Sequence, residues 1–342
     1  MKLWQSKHAP NDSTSCLLIG DIGGTNARFA LANPESPGFS REITLKCRDY
    51  ESADIAINAY LKRIRAPQPS AICIAAAGPI VDGGVRFTNN NWRLEESELE
   101  KNFDGAQIRL LNDFEAIAYS IPHLSAEEFI QVGLPALTDL NKADLLVCIV
   151  GPGTGLGTAG LCKKSGRTFP IVGEGGHNGF APETQVQMEI LAVLRDQFDR
   201  VCDERLVSGP GIVNIYHALT RIRGDNVTHT TAAEIFSHAA NNSDEMAQEA
   251  VEIFFEILGQ IAGNLALTLG AFDGIFIGGG VVARKPELIA NSRFRTGFER
   301  KGRHRSLMEK TPTHVISHSH PGLLGASYCA LQMLQIMPPS TH

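Results

Sequence analysis

The sequence predicts an α/β protein of two domains that share a duplicated architecture. Its 342 residues, of which 43% are hydrophobic and 20% charged, are enough for two globular domains with cores of their own. Apolar segments of strand length alternate with segments of helical periodicity, a pattern typical of α/β folds. A strand–turn–strand unit with a glycine-containing turn occurs twice, about 130 residues apart. This repeat indicates that one structural plan is used twice.

The first of these units covers residues 17–31. Two apolar runs flank a short polar tip, which predicts a β-hairpin. In such a turn the backbone amides of Gly23, Gly24 and Thr25 form a concavity suited to phosphate, and Asn26 adds a hydrogen-bonding side chain. Asp21, beside the tip, supplies the kind of carboxylate that binds Mg²⁺. For this stretch taken alone, an ordinary structural hairpin is the alternative.

The second unit covers residues 144–161, and its turn contains Gly153, Thr154 and Gly155. Two such hairpins facing each other across a cleft would hold a polyphosphate from both sides. Neither turn continues into the Gly-Lys-Ser/Thr of a P-loop, and the dinucleotide pattern of Rossmann folds is also missing. Further along, a predicted strand ends in Gly278, Gly279 and Gly280, where a flat ring can approach the backbone.

A pair of polar residues at a strand end marks a candidate catalytic position. The predicted strand 106–111 runs directly into Asn112 and Asp113 at the start of the next helix. Ligand sites in open α/β sheets lie beyond the carboxyl ends of strands, and a carboxylate there can accept a proton from a hydroxyl group. An Asp at a helix start also serves as an N-cap, so both interpretations stay open. Capping by Asp113 leaves the adjacent Asn112 unexplained.

The segment 170–182 is rich in glycine and too polar to belong to a core. It contains Glu174 and His177, which can hydrogen-bond adjacent hydroxyl groups of a polyol. A single His is more often structural, but Glu and His together among glycines favour a ligand site. No cysteine or second histidine lies nearby with zinc-ligand spacing, so zinc is not expected. Glu204, taken alone, has the pattern of a surface residue.

Composition excludes several classes of partner. The net charge of −6 argues against nucleic acid bound through broad phosphate neutralisation. The seven cysteines are odd in number, widely spaced and mostly in apolar segments, as expected for buried, reduced thiols of a cytosolic protein. The first fifteen residues lack the apolar core of a secretion signal, and no uninterrupted apolar run approaches membrane-spanning length. We therefore expect a cytoplasmic protein with no membrane partner.

Taken in order, the motifs resemble those of bacterial glucokinases of the proteobacterial type, within the hexokinase–actin superfamily. The resemblance covers about residues 17–336 and rests on the blocks 20–28, 111–114, 153–157, 173–177, 204–211, 278–280 and 321–325. It implies two domains of duplicated ribonuclease H-like (actin/hexokinase) architecture around a central cleft. Residues 1–123 with 320–342 would form the small domain and 124–319 the large one, and the cleft would hold sugar and ATP.

The resemblance also implies roles for individual residues. Asp113 would be the catalytic base, and Asn112, Asp113, Glu174, His177 and Glu204 would hold the glucose hydroxyls. Residues 21–26 and 153–155 would bracket the ATP phosphates with Mg²⁺ near Asp21, and residues 278–280 would lie by the adenosine. The implied reaction is ATP-dependent phosphorylation of glucose at the 6-hydroxyl, the first step of glycolysis, by a homodimer. The alternatives are a kinase of mannose or an N-acetylated amino sugar, or a non-catalytic sugar sensor.

Overall fold

A computed structural model describes residues 16–87, 91–283 and 285–333 of the chain. The sequence also predicts a strand that ends at Thr88 and Asn89 and a last helix that reaches Ile336, followed by a tail. These two ends, the tail and the first fifteen residues lie outside the described residues. The chain divides into two compact units. The first contains the residues up to 116 and from 322 onward, and the second contains residues 117–321.

The first unit is built on a five-stranded sheet. Its elements are β1 (Leu17–Ile22), β2 (Asn26–Ala32), β3 (Phe39–Lys46), α1 (Ala53–Ile64), β4 (Ala71–Ala76), β5 (Gly84–Arg86), β6 (Arg93–Glu95), α2 (Glu96–Asn102), β7 (Gln107–Asn112), the start of α3 (Asp113–Ser120), and the C-terminal helix (Pro321–Met333) from Gly322. The sheet order is β3-β2-β1-β4-β7, while β5 and β6 pair separately. β1, β2 and β3 are antiparallel, and β1, β4 and β7 are parallel. β4 is buried along its whole length, as its apolar residues on both faces predict.

The second unit is built on a six-stranded sheet. After the end of α3 its elements are β8 (Phe129–Gln131), β9 (Leu145–Pro152), β10 (Leu156–Lys164), β11 (Arg167–Gly173), α4 (Gln185–Arg195), α5 (Gly209–Arg223), α6 (Ala232–Ala240), α7 (Glu245–Leu269), β12 (Gly274–Ile277), α8 (Gly280–Ala283), α9 (Pro286–Ala290), α10 (Phe294–Glu299), α11 (Arg305–Lys310) and β13 (Thr313–Ile316). The order is β11-β10-β9-β12-β13-β8. β9, β10 and β11 are antiparallel, β9, β12 and β13 are parallel, and β8 adds an antiparallel edge.

The two sheets share one topology. In each, an antiparallel three-stranded meander is continued on one side by two parallel strands. The turn between the first two strands of each meander is the predicted glycine turn: residues 23–25 join β1 to β2, and residues 153–155 join β9 to β10. The predicted α/β class and duplicated architecture are therefore confirmed.

α7 is the central helix of the second unit's core. By length and composition it would suffice to cross a membrane, but 78% of its most apolar 18-residue window is buried within the fold. Gly259 and Gly263 pack so closely on α10 and the residues after it that a Cβ at either position would overlap backbone or side-chain atoms. Glycines at 259, 263 and 270 in an otherwise apolar helical segment predict close packing, and the structure confirms it for the first two. The same prediction for Gly270 is wrong, because Gly270 ends α7 as a left-handed cap with φ of 72°.

The cysteines are as the sequence predicts. All seven are free thiols, and six of them are buried, with Cys162 at intermediate exposure.

Candidate functional site

The first turn, residues 23–25, is held by its neighbouring strand as well as by its own hairpin. Gly23 donates its backbone N–H to the Asn26 carbonyl at 2.9 Å. At the end of β3, the Cys47 N–H donates to the Thr25 carbonyl at 2.9 Å, and the Cys47 thiol lies 3.6 Å from the Gly23 carbonyl. Lys46 Nζ donates to Asn26 Oδ1 at 3.0 Å, which places a positive charge beside the turn. The turn therefore has a fixed shape and a cation next to it, both suited to an anionic ligand.

Asp21 lies on β1 directly before this turn. Its carboxylate is about a quarter exposed and lies 3.4 Å from Arg28 Nη1, on the paired position of β2. A Cβ at Gly322, in the first turn of the C-terminal helix, would lie 3.7 Å from Asp21 Cγ, so a helix N-terminus adjoins the carboxylate. Mg²⁺ in phosphate-transfer sites is commonly held by one or two carboxylates together with phosphates and water. One accessible carboxylate beside a phosphate-sized turn fits that arrangement.

Asn112 and Asp113 have different positions at the start of α3. Asn112 Oδ1 accepts from the Phe114 N–H at 2.9 Å and from the Glu115 N–H at 3.4 Å, while Nδ2 donates to the Gly78 carbonyl at 3.1 Å. Asn112 is thus the N-cap of α3, and Asp113 is its first helical residue. The interpretation that Asp113 is the cap is wrong. Because its neighbour caps the helix, the Asp113 carboxylate, which contacts the Phe114 N–H at 3.0 Å, remains half-buried at the strand end.

Glu115, in the first turn of α3, also stabilises the start of this helix. Its carboxylate accepts the Asn112 N–H at 3.3 Å, which makes a reciprocal capping pair with Asn112. Burial raises the pKa of Glu115, and the Arg109 guanidinium 3.6 Å away opposes that rise. The backbone that presents Asp113 is therefore fixed by Asn112 and Glu115 together.

The second turn, residues 153–155, is closed by the Gly153 N–H donating to the Gly155 carbonyl at 2.7 Å. Gly209, at the start of α5, donates its N–H to the Gly153 carbonyl at 2.8 Å. Glu204 lies on the other side, where its Oε2 accepts the Leu156 N–H at 2.9 Å. Glu204 is only partly exposed. The expectation from its sequence pattern alone, a surface residue, is wrong, because its carboxylate is bonded to the backbone just after the turn.

Residues 278–280 lie against the same region. The Gly278 N–H donates to the Val150 carbonyl at 2.9 Å, and a Cβ at Gly279 would overlap the Pro152 carbonyl. Gly279 also has a φ of 85°, which favours glycine. The end of β12 and the end of β9 therefore meet beside the second turn, where Gly278 is buried, Gly279 partly exposed and Gly280 exposed. The approach of a flat ring to this backbone stays a prediction.

Glu174 precedes a short 3-10 turn, residues 175–177, that follows β11 and ends in His177. The Gly175 N–H donates to Thr158 Oγ1 at 3.0 Å, and a Cβ at Gly176 would overlap the Leu156 carbonyl. The backbone of the turn is thus pinned to β10, while the side chains of Glu174 and His177 are exposed. Leu156 contacts both this turn and Glu204: its carbonyl oxygen lies against Gly176, and its backbone N–H donates to Glu204.

Residues 200–204 hold the other side of the Glu174–His177 turn. Arg200 Nη1 donates to the His177 carbonyl at 2.8 Å, and the Asp203 N–H donates to the Asn178 carbonyl at 3.0 Å. The Cys202 thiol lies 3.9 Å from His177 Nδ1. The structure therefore brings Glu174, His177 and Glu204, predicted from separate stretches, into one region of the second unit.

Asp203 is a residue of this region that sequence reasoning missed. Its side chain is buried, which raises its pKa to about 7 against the opposing effect of Arg200. It borders a cavity of about 130 Å³, together with Asn178, Gln260 and Thr268. The available signal was its place directly before Glu204 and five residues before Ser208, the residue that caps α5.

No group of three or more His, Cys, Asp or Glu side chains is arranged to hold a metal ion by itself in the described parts of the chain.

The fold and these residues define the class: a phosphotransferase of the duplicated actin/hexokinase-like fold. The glucokinase family model matches residues 18–333. A glucokinase from a Caulobacter strain is 41% identical over 312 residues, covering 91% of this chain and 93% of the relative. The crystal structure of a glucokinase from an Antarctic psychrotroph aligns with a TM-score of 0.83 at 32% identity, covering 93% and 99% of the two chains. The fold is shared further with a glucokinase of Streptomyces griseus, at TM-score 0.62 and 21% identity over 93% and 100% of the two chains.

The chain belongs to the glucokinase family. The family and the enzyme class predicted from the sequence, an ATP-dependent glucokinase, are thereby confirmed.

Proposed function

We propose that this enzyme transfers the γ-phosphoryl group of ATP to the 6-hydroxyl of glucose, with Asp113 as the catalytic base. The observation that supports Asp113 as the base is the position of its carboxylate at the start of α3, directly after the capping residue Asn112. The Asp113 carboxylate lies half-buried next to this cap, at the carboxyl end of β7, where ligands of α/β sheets bind.

The hydroxyl group of a sugar is a poor nucleophile, so the reaction depends on placement and on charge neutralisation. Asp113 orients the 6-hydroxyl and accepts its proton as the hydroxyl oxygen bonds to the γ-phosphorus. The bond from that phosphorus to the β,γ-bridging oxygen breaks, and ADP leaves with the electron pair. The products are glucose 6-phosphate, ADP and the proton held by Asp113.

The phosphates of ATP lie against the two glycine turns in this proposal. The N–H groups of Gly23 and Gly153 close the two turns, so the amides of Gly24, Thr25, Thr154 and Gly155 and the Asn26 side chain would neutralise the triphosphate. Asp21 would hold the Mg²⁺ that accompanies ATP, an ion that neutralises charge on the transferred group. Residues 278–280 would face the adenosine. The Streptomyces griseus glucokinase structure contains glucose and AMPPNP, an ATP analogue, which supports the same pair of ligands here.

Sugar recognition is assigned to Asn112, Glu174, His177 and Glu204 with Asp113. Carboxylates accept from sugar hydroxyls, and Asn and His both donate and accept, so the set is specific for hydroxyl orientation. A wrong epimer would leave one of these groups unpaired, which is costly in a closed site. Two of the five are partly committed to the fold, because Asn112 caps α3 and Glu204 bonds Leu156.

The cleft and the oligomeric state of the enzyme also belong to this proposal. Sugar and ATP would meet in the cleft predicted between residues 1–123 with 320–342 and residues 124–319. The enzyme would act as a cytoplasmic homodimer, as family resemblance implies. Sedimentation at several protein concentrations would test the dimer.

The decisive experiment replaces Asp113 with Asn, which keeps an oxygen for the Phe114 N–H but cannot take a proton. We expect kcat to fall about 10²–10⁴-fold, while glucose still binds in calorimetric titration. Asp113→Ala should lose as much activity. Asp49→Asn, at an exposed position of the same unit, is the matched control. Turnover of Asp113→Asn near the control value would remove Asp113 from its role.

A coupled assay across glucose, mannose and N-acetylated amino sugars tests the substrate. We expect glucose to have the highest kcat/KM. A clear preference for another sugar would overturn the assignment of glucose while leaving the enzyme a hexose kinase.

A further inference from the structure

We propose that Gly155, a residue of the second phosphate turn, determines the affinity for sugar, because the carboxylate of Glu204 occupies the space that a side chain at position 155 would need. The inference rests on the proposed role of Glu204 in holding glucose. It adds to that role a direct link between the sugar site and the phosphate turn.

The link is the short distance between the backbone of Gly155 and the carboxylate of Glu204. A Cβ at position 155 would overlap Glu204 Oε2 and lie 3.2 Å from Glu204 Cδ. The same Oε2 accepts the Leu156 N–H at 2.9 Å. Gly155 is not among the glycines with a positive φ, so glycine is required here for space and not for backbone conformation.

The backbone of Glu204 is fixed, so its side chain must yield to any side chain at 155. Ser208 Oγ donates to the Glu204 carbonyl at 2.7 Å, and the preceding residue, Asp203, is held by its N–H bond to Asn178. A methyl group at 155 would therefore push the carboxylate off the buried Leu156 amide. The displaced carboxylate would no longer present its second oxygen to the sugar.

The same contact makes the two ligands of the enzyme interdependent. A sugar hydroxyl bonded to Glu204 fixes the carboxylate, which in turn fixes the Leu156 amide and the end of the turn. A nucleotide that orders the turn would orient Glu204 for sugar. Coupling of this kind is reciprocal, so each ligand should raise the affinity for the other by the same factor.

Gly153 provides a control within the same turn. Among the described residues, the nearest heavy atom to a Cβ at 153 is the Gly155 carbonyl oxygen at 3.9 Å, an ordinary contact. Gly153→Ala therefore leaves Glu204 in place. Any effect that it has should fall on the nucleotide and not on the sugar.

The test is calorimetric titration of glucose, without nucleotide, into the wild type, Gly155→Ala, Gly153→Ala, Glu204→Gln and Glu204→Ala. We expect the Kd for glucose to rise about tenfold or more in Gly155→Ala, as for loss of a charge-assisted hydrogen bond. Gly153→Ala should stay within about twofold of the wild type, a difference below 0.5 kcal/mol. Both Glu204 variants should bind glucose weakly. Only Glu204→Gln keeps an oxygen for the Leu156 amide, so it should retain nucleotide affinity better than Glu204→Ala.

The outcomes separate this inference from the proposed function. Normal glucose affinity in Gly155→Ala, with weak binding in Glu204→Gln, would overturn the role of Gly155 and leave the sugar role of Glu204 intact. Normal affinity in both Glu204 variants would instead remove Glu204 from the sugar site. If Gly155→Ala fails to fold, amide hydrogen exchange at Leu156 in the wild type decides. Glucose should slow that exchange, and an unchanged rate would overturn the proposal.

Discussion

The two glycine turns occupy the same place in two sheets of the same topology, yet they are supported by opposite charges. The first turn has Lys46 bonded to Asn26 and Arg28 paired with Asp21. The second turn has the carboxylate of Glu204 on the amide that follows it, and it has Gly151 at the position where β1 has Asp21, two residues before the first glycine. Duplication therefore fixes where a turn lies, while its charged neighbours differ: the first turn has them on its own strands and on Lys46, and the second has Glu204 from outside the hairpin.

We infer from this difference that the two turns have different roles. The carboxylate of the first turn is presented by the strand itself and is accessible to a cation that travels with phosphate. The carboxylate of the second turn comes from residue 204 and is already bonded to backbone through one oxygen. We therefore assign the metal to the first turn and a link to the sugar to the second.

The largest effect is expected for Asp21→Asn. Losing the charge that holds Mg²⁺ should lower kcat about 10²–10³-fold, because charge stabilisation near a transferred phosphoryl group is worth that much. The Kd for glucose should stay unchanged, in contrast to Glu204→Gln. Steady-state kinetics and titration measure both quantities, and Asp49→Asn is again the control. If Asp21→Asn behaves like that control, the carboxylate of the first turn has no part in catalysis.

A smaller effect is expected at the helix starts that adjoin the two sites. Asn112 caps α3 in the first unit and Ser208 caps α5 in the second, so replacing either with Ala should lower the free energy of unfolding by about 1 kcal/mol. Asn112→Asp keeps a capping oxygen and should cost much less. Urea denaturation of the variants measures this. A loss in Asn112→Asp as large as that in Asn112→Ala would show that Asn112 is not acting as a cap.

A further effect concerns pH and the second unit. Burial lowers the pKa of His314 to about 4, below its ordinary value near 6.5. The unfolded chain therefore binds the proton more readily, so the contribution of neutral His314 to stability is full above pH 6.5 and is lost as pH falls toward 4. Between pH 7.5 and 5, the wild type should lose about 2–4 °C of Tm relative to His314→Phe.

Comparison with that variant is needed because Asp203, with its pKa raised to about 7, contributes in the opposite direction. The stability from protonated Asp203 is present at low pH and declines as pH rises through 7. A pH dependence of Tm that is identical in wild type and His314→Phe would contradict the assignment to His314.

Much of this molecule is readable from local pattern. The period of apolar residues predicted both hairpins, the buried strand β4 and the long helix α7, because period reports the local backbone and which face is buried. The glycines of the turns and the pair Asn112–Asp113 were found because their type and their place at a strand end are both visible in sequence.

The rest depended on contacts between residues far apart in the chain. Nothing near Glu204 in sequence indicates that its carboxylate meets the amide after Gly155. Contacts of residues 204–209 with the turn 153–156 bring the two together. Asp203 could not be predicted for the same reason, since its neighbours belong to the loop after His177 and to α7. At the start of α3, local pattern identified the two residues but not which of them caps the helix, because either side chain can reach the first amides.

The close approach of Glu204 to Gly155 also has an evolutionary consequence. Two positions separated by almost fifty residues share one small volume, so neither can drift freely while the other stays as it is. A side chain at 155 would displace the acid at 204, and in the proposed role of Glu204 the affinity for sugar would fall with it. Selection for glucose use would then preserve a glycine that, from its place in the chain, looks as though it served the nucleotide alone.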